Sequence, residues 1–213
     1  MTPTPRLIHT GQALVDVLVD VPHLPRQGGN VMATSYTRHA GGAVNILVAA
    51  ARSGGQAVHA GAIGTGPNGD LISTTLAKEG IAMSAARVPD ADTGVCLVLL
   101  DPSAERTFIT TTGAERAVSV DSFGTSSPRP GDVVCVTGYS LALPATRDPL
   151  LAWLDTLPAG VDVVLDPGAV FTELDESVRT HMIDHTTVWT GNAEESAALG
   201  GVGDMVGSLH ACA

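Results

Sequence analysis

The sequence contains few cysteines, few basic residues and no long hydrophobic run, and each absence excludes a class of protein. Its three cysteines, Cys96, Cys135 and Cys212, are too few and too widely spaced for a disulfide or zinc framework. Only 11 basic residues accompany 22 acidic ones, and the net charge of −11 excludes nucleic acid or an anionic membrane as the main partner. No apolar segment reaches the roughly 18 residues of a membrane span.

The composition that remains is typical of a globular α/β protein. The chain has 213 residues, of which 44% are hydrophobic, with 24 glycines and 13 prolines. This length is sufficient for one sizeable core, and the hydrophobic content excludes a disordered chain. Cys96 and Cys135 lie in apolar runs and are expected to be buried thiols. The segment before the first strand lacks the apolar core of a signal peptide, which predicts a cytoplasmic location.

Strands and helices alternate strictly along the second half of the chain. Strands that are continuously apolar and separated by helices are typical of a parallel sheet covered on both faces. We expect one α/β domain over residues 1–213. The predicted strands are 7–19, 31–38, 57–63, 94–100, 106–112, 132–137, 161–166 and 187–190, and the predicted helices are 43–53, 71–79, 144–157, 173–183 and a segment from 192 onward.

Two parts of the chain depart from this alternation. The stretches 94–100 and 106–112 are joined by a polar loop and predict a hairpin. Together with the early strand at 31–38, this hairpin is expected to form a small separate β-layer. This layer comprises approximately residues 12–38 and 94–112, and we expect it to cover the carboxyl edge of the parallel sheet as a lid.

Polar and glycine residues recur where the predicted strands end, and ligands of parallel sheets bind beyond the carboxyl ends of the strands. At Gly41 and Gly42 the absence of a Cβ lets the backbone approach a ligand closely. Asn45, one turn into the following helix, offers both a donor and an acceptor, which suits a small polyhydroxylated molecule. The residues at this edge are Asp16, Gly41, Gly42, Asn45, Gly138, Asp166, Pro167, Gly168, Thr190, Gly191, Asn192 and Glu195.

These segments resemble the PfkB, or ribokinase-like, carbohydrate kinases over nearly the whole chain. The resemblance implies a ribokinase-like three-layer α/β/α fold with a mainly parallel central sheet and a small β-lid. It also implies ATP-dependent phosphorylation of a sugar or sugar-like alcohol with Mg²⁺, and a homodimer formed through the lid. It rests on the spacings of Gly11 and Asp16, Gly41-Gly42 and Asn45, Gly54 and Gly64, Arg106-Thr107-Phe108 and Gly113-Ala114, and Asn192 and Glu195.

The same resemblance assigns roles to particular residues. It implies that Asn192 and Glu195 lie near the magnesium and the phosphates of ATP, with Glu195 as the metal ligand. Ala43 stands where ribokinases often carry lysine, so ribose is not favoured over other acceptors. The residues implied to bind the sugar substrate are Asp16, Gly41, Gly42, Asn45 and Arg106.

The catalytic base is not assigned by the sequence. In the family it lies in a Gly-Ala-Gly-Asp segment well downstream of Asn-x-x-Glu, at the start of a helix whose amides stabilise the transferred phosphate. Asp204 in Gly201-Val202-Gly203-Asp204 looks similar but follows Glu195 too soon, so it is an unfavoured candidate. We therefore expect the chain to be the amino-terminal part of a longer kinase, or a truncated product.

Three alternative interpretations remain open. The chain could be a non-catalytic carbohydrate-binding remnant of such a kinase. Gly64-x-Gly66-x-x-Gly69 formally matches a dinucleotide fingerprint, although Pro67 and Asn68 predict a turn there and the motif is not in the first βα unit. His181 and His185 are spaced to share a metal ion on one helix, but no third ligand is evident, which favours a solvated or capping role.

Overall fold

The central sheet consists of six parallel strands in the order β10-β9-β8-β1-β4-β5. It is seen in a computed structural model that describes residues 4–200. All five strand pairs run parallel, as the alternation of apolar strands and helices predicts. The strands are β1 (Arg6–His9), β4 (Gln56–His59), β5 (Ala82–Met83), β8 (Val133–Thr137), β9 (Asp162–Asp166) and β10 (Val188–Trp189).

Helices cover both faces of this sheet, so the expected three-layer α/β/α arrangement is confirmed. Ile8 and Val58 pack with one buried cluster, and their neighbours Leu7 and Ala57 pack with another. Because alternate residues of a strand point to opposite faces, the two clusters lie on the two sides of the sheet. The helices are α1 (Ala43–Arg52), α2 (Pro67–Lys78), α3 (Val120–Gly124), α4 (Pro144–Leu154), α5 (Glu176–His185) and α6 (Ala193–Gly200).

Each cluster belongs to its own set of helices. Leu47 of α1 and Ile72 of α2 are fully buried on one side, whereas Phe123 of α3 and Trp153 of α4 stack at 5.4 Å on the other. Burial of such side chains contributes roughly 1.5–3 kcal/mol each. Over residues 4–200, no helix combines the length and apolarity needed to cross a membrane.

A second sheet, called the small sheet below, has four strands in the order β3-β2-β6-β7. The predicted hairpin is confirmed, since β6 and β7 pair antiparallel. The early strand also belongs to this sheet, as expected. The strands are β2 (Ala13–Asp20), β3 (Ser35–Gly42), β6 (Val95–Leu100) and β7 (Arg106–Thr110).

The predicted continuous strand over residues 7–19 is wrong. The chain leaves the central sheet after His9 and enters the small sheet at Ala13. Gly11 lies at the break, where its amide donates to His9 Nδ1 at 2.9 Å. A Cβ on Gly11 would lie 2.7 Å from His9 Cε1, so the turn requires glycine there.

The predicted strand at 31–38 is found a few residues later in the chain, as β3 at Ser35–Gly42. β3 runs on through Gly41 and Gly42, which pair with Leu14 and Ala13. Glycine is depleted in strands, so the two glycines do not predict a strand from the sequence. Their pairing with β2 nevertheless continues β3 to Gly42. Gly42 has φ +58° and is the residue at which the strand passes directly into α1.

Other boundaries differ by a few residues. α2 begins at Pro67 rather than at 71, because proline is favoured in the first turn of a helix. The short helix α3 and the two-residue strand β5 were not predicted. Cys96 and Cys135 are buried and free, as expected. Gly201–Asp204 lies outside the described residues.

Candidate active site

Asp16 lies in the middle of β2, between His39 of β3 and Cys96 of β6. The expectation that it ends a strand of the parallel sheet is therefore wrong. Its carboxylate lies against Gly41, where a Cβ would overlap it. Partial burial raises the pKa of Asp16, and the charge of the exposed His39 opposes this effect. A half-buried carboxylate held over bare backbone can accept hydrogen bonds from a ligand that enters from solvent.

Gly41, Gly42 and Asn45 are brought together with Asp16 at the start of α1. Gly41 is buried under the Asp16 carboxylate, whereas Gly42 is exposed at the helix N-cap. The side chain of Asn45, in the first turn of α1, is exposed and makes no hydrogen bond to the described residues. The strand passes into α1 at Gly42. A hydrogen bond from Ala43 N to the carbonyl of Gln12, at 2.9 Å, stabilises this transition. The Asp16 carboxylate and the bare backbone of Gly41 thus lie together, next to the start of the helix whose first turn carries Asn45.

Arg106 is not brought to this group. It is exposed at the start of β7 and pairs with Leu100. The residues in the row of Asp16 are instead Cys96 and Thr110. Arg106 and Thr110 are four positions apart on β7, which corresponds to about 13 Å. Its expected contact with substrate stays a prediction.

Asn192 and Glu195 form a reciprocal cap at the start of α6. Asn192 N donates to Glu195 Oε2 at 2.9 Å, and Glu195 N donates to Asn192 Oδ1 at 2.8 Å. This is the geometry of a capping box, in which two otherwise unpaired amides are satisfied together. The Asn-x-x-Glu spacing therefore has a structural role in the helix, whatever further role it has in binding.

A second carboxylate lies close to this cap. Asp166 ends β9 at the carboxyl edge of the central sheet, the edge that the sequence analysis identified without giving Asp166 a role. Burial raises the pKa of Asp166, the negative charge of Glu195 raises it further, and a hydrogen bond from the Gly168 amide opposes both. Like charges held together are relieved by a divalent cation, and carboxylate oxygens are the ligands that Mg²⁺ prefers. The pair fits a magnesium ion chemically.

The glycine motif at Gly64, Gly66 and Gly69 does not leave its helix amides free for a dinucleotide phosphate. The amides at the start of α2 already donate to the carboxylate of Asp92, from Asn68 at 3.1 Å and from Gly69 at 3.0 Å. An anion would have to displace a carboxylate that the chain supplies. The dinucleotide interpretation is therefore excluded.

Glu115 is a structural residue of the hairpin that the sequence did not reveal. Its carboxylate is fully buried and accepts from the amides of Gly94 and Gly113, each at 2.8 Å. Gly94 precedes β6 and Gly113 follows β7, so one side chain ties together the two ends of the hairpin. The Gly113-Ala114 pair in the sequence marks this part of the chain. No local pattern, however, predicts that the side chain of Glu115, the next residue, is buried.

Comparison with known proteins decides the family. Residues 5–212 match the sequence profile of the pfkB family carbohydrate kinases. This chain belongs to the pfkB family. The resemblance drawn from the residue spacings is thereby confirmed.

A curated relative of this pfkB chain is the uncharacterized sugar kinase YegV of Escherichia coli K12. The two are 34% identical over 148 residues, which is 69% of this chain and 46% of YegV. The chain thus spans about half the length of the curated relative it matches.

Solved structures with the same fold include a fructokinase, a ribokinase and an adenosine kinase. Fructokinase of Vibrio cholerae O395, solved with fructose, ADP and calcium, matches 98% of this chain and 67% of its own, with a TM-score of 0.75 and 21% identity. Ribokinase of Arabidopsis thaliana, complexed with ribose and ATP, also matches 98% of this chain and 67% of its own, with a TM-score of 0.71 and 20% identity. Adenosine kinase of Sinorhizobium meliloti matches 97% of this chain and 71% of its own, with a TM-score of 0.75 and 16% identity. The ribokinase-like fold is confirmed.

Proposed function

We propose that this pfkB chain carries the acceptor half of an ATP-dependent kinase that phosphorylates a hydroxyl of a sugar or sugar-like alcohol. The observation that carries the proposal is the half-buried Asp16 carboxylate over the bare backbone of Gly41, beside the exposed start of α1. This surface presents hydrogen-bonding groups but no local cationic cluster. It suits a neutral polyol.

On the acceptor side, Asp16 would accept hydrogen bonds from two adjacent hydroxyls, and Asn45 would donate and accept at a third. Gly42 leaves room for the ring to approach the backbone. The small sheet, which carries Asp16 itself, would exclude water so that phosphate passes to the sugar and not to solvent.

On the phosphate side, Asn192, Glu195 and Asp166 are the proposed ligands of Mg²⁺ and of the phosphates of ATP. When bound, Mg²⁺ would neutralise phosphate charge during transfer. Glu195 would stay oriented by its hydrogen bond to the Asn192 amide, which keeps the carboxylate from turning away. We assign no described residue as the catalytic base.

Ala43 narrows the choice of acceptor. An alanine at the start of α1, next to Gly42, offers no cation to a phosphorylated or acidic sugar. The solved relatives were crystallised with fructose and with ribose, and another is an adenosine kinase. We propose unphosphorylated pentoses, hexoses and nucleosides as the compounds to test. Arg106, at the start of β7, is proposed as a further contact for acceptors large enough to extend to that strand.

The decisive experiment is the substitution Asp16→Asn. It removes the charge from an acceptor of hydroxyl hydrogen bonds, which costs about 1.5–3 kcal/mol, or tenfold or more in sugar affinity. Calorimetry with the sugar that the natural protein phosphorylates most rapidly, chosen from a panel assayed with ATP and Mg²⁺, measures the change.

The matched control is Asp20→Asn. Asp20 lies on the same strand and accepts a hydrogen bond from Ser35 at 2.5 Å, four residues from Asp16. The Asp20→Asn substitution should leave the sugar affinity within about twofold of that of the unmodified protein, because Asp20 lies roughly 13 Å from Asp16 along β2. Equal affinities for the Asp16→Asn variant and the unmodified protein would refute the assignment of Asp16.

A further inference from the structure

Two histidines and an aspartate meet at the edge of the sheet opposite the candidate active site. α4 follows β8 and α5 follows β9, and each helix returns the chain to the start of a parallel neighbour. Helices in such crossovers run back across the sheet, so their carboxyl ends lie at its amino edge. Asp155 is the C-cap of α4, and His185 is the last residue of α5.

The geometry of the three side chains is tight. Nε2 of His181 lies 2.9 Å from Asp155 Oδ1, and Nε2 of His185 lies 2.8 Å from the same oxygen. The two imidazole rings are 5.4 Å apart between centroids and tilted by 35°. The three potential ligand atoms all lie within 4.8 Å of one another. The sequence shows the two histidines one helical turn apart, and the fold adds the third ligand from another helix.

We propose that Asp155, His181 and His185 bind a divalent transition-metal ion, with Zn²⁺ the best match. Two imidazole nitrogens and one carboxylate oxygen are a donor set that zinc uses in proteins. Zinc holds such atoms at about 2.0–2.2 Å, which separates the donors of a tetrahedral site by about 3.4 Å. The atoms observed need only small side-chain rotations to reach that spacing.

The surroundings allow an ion to enter. All three side chains are partly exposed, and His181 lines a shallow open depression with Thr180 and Asp184. Asp184 adds a further negative charge beside the site. Both histidines stand on one helix, so their separation is set before the metal binds, which reduces the ordering cost. Solvent water would complete the coordination.

The bound ion would link α5 to the carboxyl end of α4. An ion that binds the folded protein and not the unfolded chain raises the melting temperature. At free zinc about 100-fold above its Kd, the expected increase is roughly 5–10 °C for a chain of this length. The site is remote from the sugar surface, so this inference is independent of the proposed function.

The test titrates the tag-free, metal-stripped protein with ZnCl₂ by calorimetry and follows thermal unfolding with and without zinc. We expect one equivalent to bind with an affinity on the order of micromolar. His181→Gln, His185→Gln and Asp155→Asn should each weaken binding at least tenfold and reduce the increase in melting temperature. Far-ultraviolet circular dichroism at 20 °C verifies that each variant is folded.

Two control variants exclude other ligands in the chain. His23→Gln removes an exposed histidine of another surface, and His210→Gln removes the histidine two positions before Cys212 in the sequence. Both should bind zinc as the unmodified protein does. The inference is overturned if the unmodified protein binds no zinc at 100 µM, an order-of-magnitude limit for a specific site. It is equally overturned if the His181 and His185 variants bind as tightly as the controls.

Discussion

At the scale of single residues, the pair His9 and His59 has the most measurable consequence. They lie side by side on β1 and β4, fully buried. Burial, with a smaller contribution from the neighbouring His59, lowers the pKa of His9 to about 3, and burial lowers the pKa of His59 to about 4. Three of their four ring nitrogens have no hydrogen-bond partner among residues 4–200. Both rings are therefore neutral in the folded protein at neutral pH.

We predict that acid destabilises the fold through these two rings. In the unfolded chain both bind a proton below pH 6.5, whereas the folded protein resists protonation, so stability is full above pH 6.5 and falls towards pH 4. Each histidine contributes at most about 2 kcal/mol between pH 7 and pH 5. Urea unfolding at the two pH values measures the difference.

The substitution His59→Leu tests the origin of this effect. It replaces a buried ring lacking hydrogen bonds with an apolar side chain of similar size, so the difference in unfolding free energy between pH 7 and pH 5 should shrink. His23→Gln, at an exposed histidine, should leave the difference unchanged. If the His59→Leu variant keeps the full pH dependence, His59 is not its source.

At the scale of elements, the small sheet has two edges that carry exposed apolar side chains. Tyr36 on β3 is 62% exposed, and Phe108 and Ile109 on β7 are 59% and 55% exposed. β3 and β7 are the outer strands of this sheet. Unpaired strand edges with apolar side chains favour pairing with another chain. We propose that two copies associate through this sheet.

Replacement of the apolar residues on β7 should separate the two copies. Phe108→Glu and Ile109→Glu each place a charge in the proposed contact and should convert a dimer into a monomer, measured by light scattering after size exclusion. Val120→Glu is the control, because Val120 is an exposed apolar residue at the start of α3, away from the small sheet. A strict monomer of the unmodified protein at high-micromolar concentration would contradict the proposal.

At the scale of the whole molecule, we predict that the 213-residue chain by itself binds sugar but does not phosphorylate it at a useful rate. Phosphoryl transfer depends on positioned amides and a base around the transferred phosphate. Among residues 1–213 only Gly201–Asp204 resembles the family segment that carries the base, and it follows Glu195 closely in sequence. A coupled ADP-release assay with ATP, Mg²⁺ and the sugar panel tests this.

Two comparisons make the assay decisive. The natural protein, if longer, should turn over in the same assay, and the 213-residue chain should not. Robust turnover by the 213-residue chain that is abolished by Asp204→Ala would contradict the prediction and identify Asp204 as the base. Activity that survives Asp204→Ala would contradict it as well and place the base elsewhere in the chain.

The sequence by itself determined the central sheet, the hairpin and the family. Strands with an apolar centre, such as 163–165 of β9, that are separated by helices are typical of a parallel sheet covered on both faces. The turn from β3 into α1 is encoded locally as well, because Gly42 adopts a φ that other residues avoid. Such signals depend only on neighbours in the chain.

Only the tertiary structure decided which sheet a strand joins and which distant groups meet. The run from Leu7 to Val19 is mainly apolar, and its division between two sheets depends on partners such as Gln56 and Gly42 far along the chain. Asp155 reaches two histidines 26 and 30 residues later, and Glu115 reaches Gly94 across the hairpin. Such contacts arise from non-local pairing and burial, which local sequence patterns do not encode.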